Sequence, residues 1–123
     1  MMRAAAWAAA LPMLVTAAQA SSVCEGVERS ANGARAALSL HDGKARALRS
    51  FAYDGWEIAE VSLSNGAHAF VFLSPEKPVA VWRGAWPLDE VSQSKEWTVE
   101  NAPGIPNQLA RCFAWHVARD RTL

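Results

Sequence analysis

The chain has 123 residues, 51% of them hydrophobic, and its 12 basic and 12 acidic side chains cancel to a formal charge of zero. A neutral chain lacks the cationic excess that phosphate backbones and anionic lipid surfaces select, so nucleic acid is not an expected partner. At this length there is room for one core, and not for two once a leader is removed.

The opening MMRAAAWAAALPMLVTAAQA, residues 1–20, reads as a secretory signal peptide. It has Arg3, an apolar run from Ala4 to Val15, and small residues at Ala18 and Ala20 before a cut. The run contains Pro12 and falls short of the roughly 20 apolar residues needed to span a bilayer. Removal is therefore expected, with no stable membrane insertion afterwards. Ser21, Ser22 and Val23 separate the cut from Cys24, which argues against a lipid anchor on that cysteine. The expected product is one small domain, residues 21–123, periplasmic or secreted. Loss of Arg3 leaves it near neutral.

Cys24 and Cys112 are the chain's two cysteines and stand near its opposite ends. In an oxidising compartment they are expected to form a disulfide, the alternative being two buried thiols. Closing so long a loop is worth on the order of 4–5 kcal/mol in the chain-entropy model.

Residues 23–31 (VCEGVERSA) space Val23, Cys24, Val27 and Ala31 by threes and fours, which predicts a short helix. Ser22 with Glu25 makes a capping-box pattern, and Asn32-Gly33 a stop. Residues 34–40 (ARAALSL) fit helix or strand; the reading here leans to strand or a loose turn, broken at His41-Asp42-Gly43.

Residues 45–53 then lead to Asp54-Gly55, and 56–63 to Asn65-Gly66, two hairpin signals in close succession. A two-residue loop at Asn65-Gly66 sets Ala59 opposite Phe72, Val61 opposite Phe70 and Leu63 opposite His68, giving one core face. Pro75 and Pro78 bracket the next turn, and residues 79–86 (VAVWRGAW) read as a fourth strand ended by Pro87. Residues 87–102 are polar; around Trp97-Thr98-Val99 they fit a short strand or a tethered loop.

From Pro106 onward, Ile105, Leu109, Cys112, Phe113 and His116 fall on one stripe of an amphipathic helix. The predicted fold class is α+β: a four-stranded antiparallel meander packed by N- and C-terminal helices joined by the disulfide.

Catalytic chemistry finds little support. The serine-hydrolase elbow is absent, and His41, His68 and His116 stand at no metal-finger spacing. His116 and Asp120, four apart, are too few for a zinc site. Glu57 and Glu60 point to opposite faces of a strand and cannot make a glycosidase pair. Lys44, Arg46 and Arg49 form a basic cluster without a phosphate loop. No catalytic residue, metal or cofactor is expected, and an enzyme would need His41 or His116 to meet a carboxylate in a cleft.

The aromatic residues carry more. A strand through residues 82–86 puts Trp82, Gly84 and Trp86 on one face and Arg83 on the other. These indoles either roof the core or form a recognition platform. Trp115 lies on the polar side of the last helix with Gln108 and Arg111, either packed under the tail or open to a partner.

Residues 54–61 (DGWEIAEV), 81–86 (VWRGAW) and 104–112 (GIPNQLARC) together resemble an arrangement found in small exported bacterial domains of uncharacterised function. The resemblance covers residues 45–112 and departs from that pattern in the segment from Trp86 to Pro103. It implies an α+β fold and an exported location, and brings no activity with it.

The expected function is an exported, non-enzymatic binding protein that recognises a protein partner through Arg83, Trp86, Trp115 and Trp82, an inhibitor or immunity-type partner of an exported hydrolase being one form. That reading expects Trp86, Arg83 or Trp115 to be exposed. The alternative is a binder of cell-wall glycan or a small apolar ligand, which expects a concave groove beside Trp82 and Trp86. A purely structural accessory domain is the third.

Overall fold

A computed structural model describes residues 22–29 and 33–119. The expected signal peptide, residues 30–32 of the first predicted helix and its stop, and Asp120 lie outside the described residues. Its elements are α1 (Ala34–Ser39), β1 (Arg46–Tyr53), β2 (Trp56–Ser62), β3 (His68–Leu73), β4 (Pro78–Arg83), α2 (Val91–Asn101) and α3 (Asn107–Arg119). The strands form one antiparallel meander in the order β1-β2-β3-β4, so the α+β architecture is the expected one.

Two hairpin turns set the sheet, and they differ in kind. Tyr53 pairs with Trp56 across Asp54 and Gly55, whose φ angles of 51° and 83° are the paired positive values of a type I′ turn. The second turn is one residue longer than the sequence signal suggested. Leu63 N–H donates to Ala67 O at 2.7 Å and Gly66 N–H to Leu63 O at 2.9 Å, making Ser64-Asn65-Gly66 a three-residue loop with Gly66 left-handed.

That extra residue slips the register. Ile58 opposes Phe72, Ala59 opposes Val71, Glu60 opposes Phe70 and Ser62 opposes His68. Because side chains alternate, a one-residue slip exchanges the two faces of β3 relative to β2. Ala59 and Val61 therefore do not share a face with Phe70 and Phe72, correcting the predicted pairing.

Both faces are nonetheless covered. Phe51, Ile58, Phe70 and Phe72 pack against Leu109, Cys112, Phe113 and Val117 of α3. Ala59, Val61, Val71 and Leu73 pack on the other face under Ala36 of α1. The predicted stripe of α3 is buried throughout, from Ile105 to His116.

Three local expectations are corrected. In place of a helix from Val23 onward, Ser22 and Val23 alone are helical among the described residues 22–29; the chain turns at Cys24, with Val27 N–H donating to Cys24 O, and Glu28 pairs with Ala52. Residues 34–39 are helix, which suits an Ala-rich run opened by a left-handed Gly33. Residues 91–101 are helix as well, and its buried side carries Ser94 and Thr98 in place of an apolar stripe.

The disulfide joins Cys24 to Cys112 across 88 positions of sequence, stapling the N-terminal turn to α3. Among the described residues no helix is long and apolar enough to cross a membrane.

Candidate functional site

The aromatic residues after β3 gather on one face of the sheet. Trp82 sits on β4, directly opposite Phe70, and faces the helices. The strand ends at Arg83, and Gly84, at φ 100°, turns the chain under the sheet. Trp86 is thereby carried off the strand, correcting the expectation that it closes β4, and of its two expected places it takes the core, at 5% exposure. Its ring centroid lies 5.0 Å from Phe113, 5.3 Å from Trp97 and 6.0 Å from Trp82.

Trp97 completes the group from α2, with its ring edge-on to Trp82 at 5.6 Å. It lies on the buried side of α2, against Phe72 of β3, one position before Thr98 and three after Ser94, both buried. Sequence reading passed over it because a single indole amid polar residues gives no periodicity. Its one signal was the spacing of Ser94, Trp97 and Thr98 on a common helical face.

Together Trp82, Trp86, Pro87, Leu88 and Trp97 line an apolar cleft of about 140 Å³. The polar ends of two of the indoles are turned away from any ligand. Trp82 Nε1 donates to Ala85 O at 3.0 Å, and Trp86 Nε1 donates to Ser94 Oγ at 2.9 Å. The cleft therefore offers aromatic surface and few directional contacts.

The four residues read from sequence as a recognition face do not converge. Trp82 and Trp86 share the cleft, with Trp82 half-buried and Trp86 buried. Arg83 is exposed and points to the opposite face of the sheet. Trp115 is half-buried on α3, with the Arg119 guanidinium 4.4 Å above its ring and His116 edge-on at 4.8 Å.

The titratable side chains lie elsewhere. Glu57 and Glu60 do face opposite ways: buried Glu57 accepts a hydrogen bond from Gly33 N–H at 3.1 Å, and Glu60 meets Arg49 at 2.8 Å and His68 at 3.1 Å. His68 opposes Ser62, not Leu63, and is exposed. His41 and Glu76 both line an open groove of about 420 Å³ with Arg35, Lys77 and Leu38, but both are solvent-exposed and no hydrogen bond joins them.

His116 is buried at the bridge, its Nε2 3.0 Å from Arg29 Nη1 and its ring 5.5 Å from Phe51. Its nitrogen and the two sulfurs lie within 4.8 Å of one another. Sulfurs joined in a disulfide are not thiolate ligands, so in the bridged state this cluster is structural. Asp42 is half-buried, and its carboxylate is held below the ordinary range by hydrogen bonds from Ser64 and Lys44 backbone N–H and the Ser64 hydroxyl.

Fold and site thus define a small disulfide-bridged α+β domain with an aromatic cleft beside its last strand, and a bridge of this kind is what an oxidising, exported compartment permits. Comparison with protein-family models, curated proteins and solved structures finds no significant match for the chain.

Proposed function

We propose that this chain is an exported, non-enzymatic recognition domain that binds a protein partner by holding one apolar side chain of it in the Trp82–Leu88–Trp97 cleft. The observation that carries this reading is the cleft's size and lining. At about 140 Å³ it is well below the roughly 300–1,000 Å³ of pockets that enclose whole small molecules, and close to the ~150 Å³ cavity that accommodates a benzene ring. A single aromatic or branched aliphatic side chain fits that description. Aromatic-lined pockets that bury one anchor residue are where protein interfaces concentrate their energy.

A glycan is less well served, because the Trp82 and Trp86 N–H groups that sugar hydroxyls would use are already bonded within the chain. A free apolar ligand of aromatic size remains a second reading, since the same cleft suits it. Of the expected set Arg83, Trp86, Trp115 and Trp82, this reading keeps Trp82 and Trp86 and adds Leu88 and Trp97.

The test is affinity capture from native envelope extract with the oxidised chain as bait, beside a Leu88→Lys variant of equal thermal stability. Leu88 is half-buried at the cleft, so the substitution puts a charge there. A protein retained by the parent and lost by the variant supports the reading. Equal retention by both removes the cleft from recognition.

A further inference from the structure

β4 is an edge strand, paired with β3 alone. The opposite edge is partly covered, because Glu28 and Ala52 exchange backbone hydrogen bonds at 2.8 and 2.9 Å along β1. Among the described residues no segment does the same for β4.

The ladder fixes which backbone groups of β4 are unpaired. Gly84 N–H donates to His68 O at 2.7 Å, and Trp82 opposes Phe70 while Ala80 opposes Phe72. Hydrogen-bonded and outward-facing residues alternate along an antiparallel strand, so Trp82 and Ala80 bond to β3, and the N–H and C=O of Val81 and Arg83 face outward. The start of the strand is blunted by Pro78 and by the register shift at Phe72/Leu73, two devices that protect an edge. Its second half has neither.

We infer that β4 takes up an extended segment of the protein partner as a fifth strand, hydrogen-bonded at Val81 and Arg83; this rests on the partner reading above. Main-chain pairing supplies the register, and side chains supply the choice of segment. The residue set opposite Trp82 shares its face and enters the aromatic cleft. The residue opposite Val81, whose side chain is 41% exposed on the other face, is apolar. The residue opposite Arg83 is acidic.

A second copy of this chain is the poorer occupant. β4 carries one charged side chain, Arg83, and no acid between Pro78 and Arg83, so the same strand of a second copy offers Arg83 no counter-charge. An acidic segment supplies one.

Two blocked heptapeptides test this, one with a central Glu-Phe-Val between threonines and one with the reverse order, to serve antiparallel and parallel addition. Each is titrated into the oxidised chain while amide exchange and indole N–H shifts are followed by NMR. Strand addition predicts that one of them, at about ten times its Kd, slows exchange at the Val81 and Arg83 amides about tenfold, by linkage. Replacing its Glu by Lys weakens that protection. Shifts of the Trp82 and Trp97 indoles without protection at Val81 and Arg83 overturn strand addition and leave the side-chain reading standing. Absence of binding by both peptides overturns the inference for this segment chemistry. Protection that rises with protein concentration alone, together with a dimer in sedimentation, assigns the edge to a second copy and overturns it too.

Discussion

Trp86 Nε1 donates a 2.9 Å hydrogen bond to Ser94 Oγ inside the core, and this contact ties the polar helix α2 to the segment that follows β4. Thr98 Oγ1 in turn donates to Ser94 O at 2.8 Å, so the buried side of α2 is a satisfied polar seam with Trp97 beside it. Replacing Ser94 with Ala leaves the Thr98 bond intact and the Trp86 N–H buried without an acceptor. An unsatisfied buried donor costs about 1–3 kcal/mol, so Ser94→Ala is expected to lower stability by that amount in urea denaturation. An unchanged midpoint would show that α2 is held by the rings alone.

The bridge between Cys24 and Cys112 restrains nearly the whole described chain. Its loss in a Cys24→Ser, Cys112→Ser double variant is expected to cost about 2–5 kcal/mol in chemical denaturation, with residual structure in the unfolded chain reducing the figure. The seryl oxygens would also sit beside Arg29 and His116, which remain packed on Phe51.

Gly33 tolerates no side chain. Its φ is +68°, and an added Cβ would stand 2.5 Å from that of Ala47. The left-handed backbone alone costs a non-glycine residue about 1–3 kcal/mol, so Gly33→Ala should lose at least that much in thermal melts. Adding Ala47→Gly should recover the steric part and leave the backbone part.

Asp42 ties the turn before β1 to the β2-β3 loop through Ser64 and Lys44. Its folded pKa lies below the ordinary carboxylate value of 3.8, so its contribution is fully present above that pH and is lost as pH falls through the lower folded value. Amide exchange at Ser64 and Lys44 should accelerate, relative to other turn amides, only below about pH 4. In an Asp42→Asn variant this pH dependence should be absent.

Much of this fold was legible in the residues. Asp54-Gly55 named a turn that the chain makes, and the stripe from Ile105 to His116 named the buried face of α3. The pairing of Cys24 with Cys112 followed from two cysteines in a chain whose opening reads as a signal peptide. What was hidden had physical causes. Asn65-Gly66 signals a hairpin without fixing its loop length, and one residue moved Phe70 and Phe72 to the other face from Ala59 and Val61. Helix α2 buries hydroxyls in place of hydrocarbon, so no hydrophobic period marks it. Trp86 read as a strand residue because alternation continued through Gly84, where the backbone in fact turns. The cleft was half legible: Trp82 and Trp86 were singled out, and Trp97 arrived from a helix the pattern did not show.

The cleft of Trp82, Leu88 and Trp97 is the proposed receptor for an apolar side chain. The most direct measurement is an NMR titration of the oxidised chain with N-acetyl-phenylalanine amide, following all described indole N–H signals. Saturable shifts are expected at Trp82 and Trp97, abolished in Leu88→Lys, with Trp56 and Trp115 unmoved. Shifts confined to Trp115, or none at any indole up to the solubility limit, would contradict it.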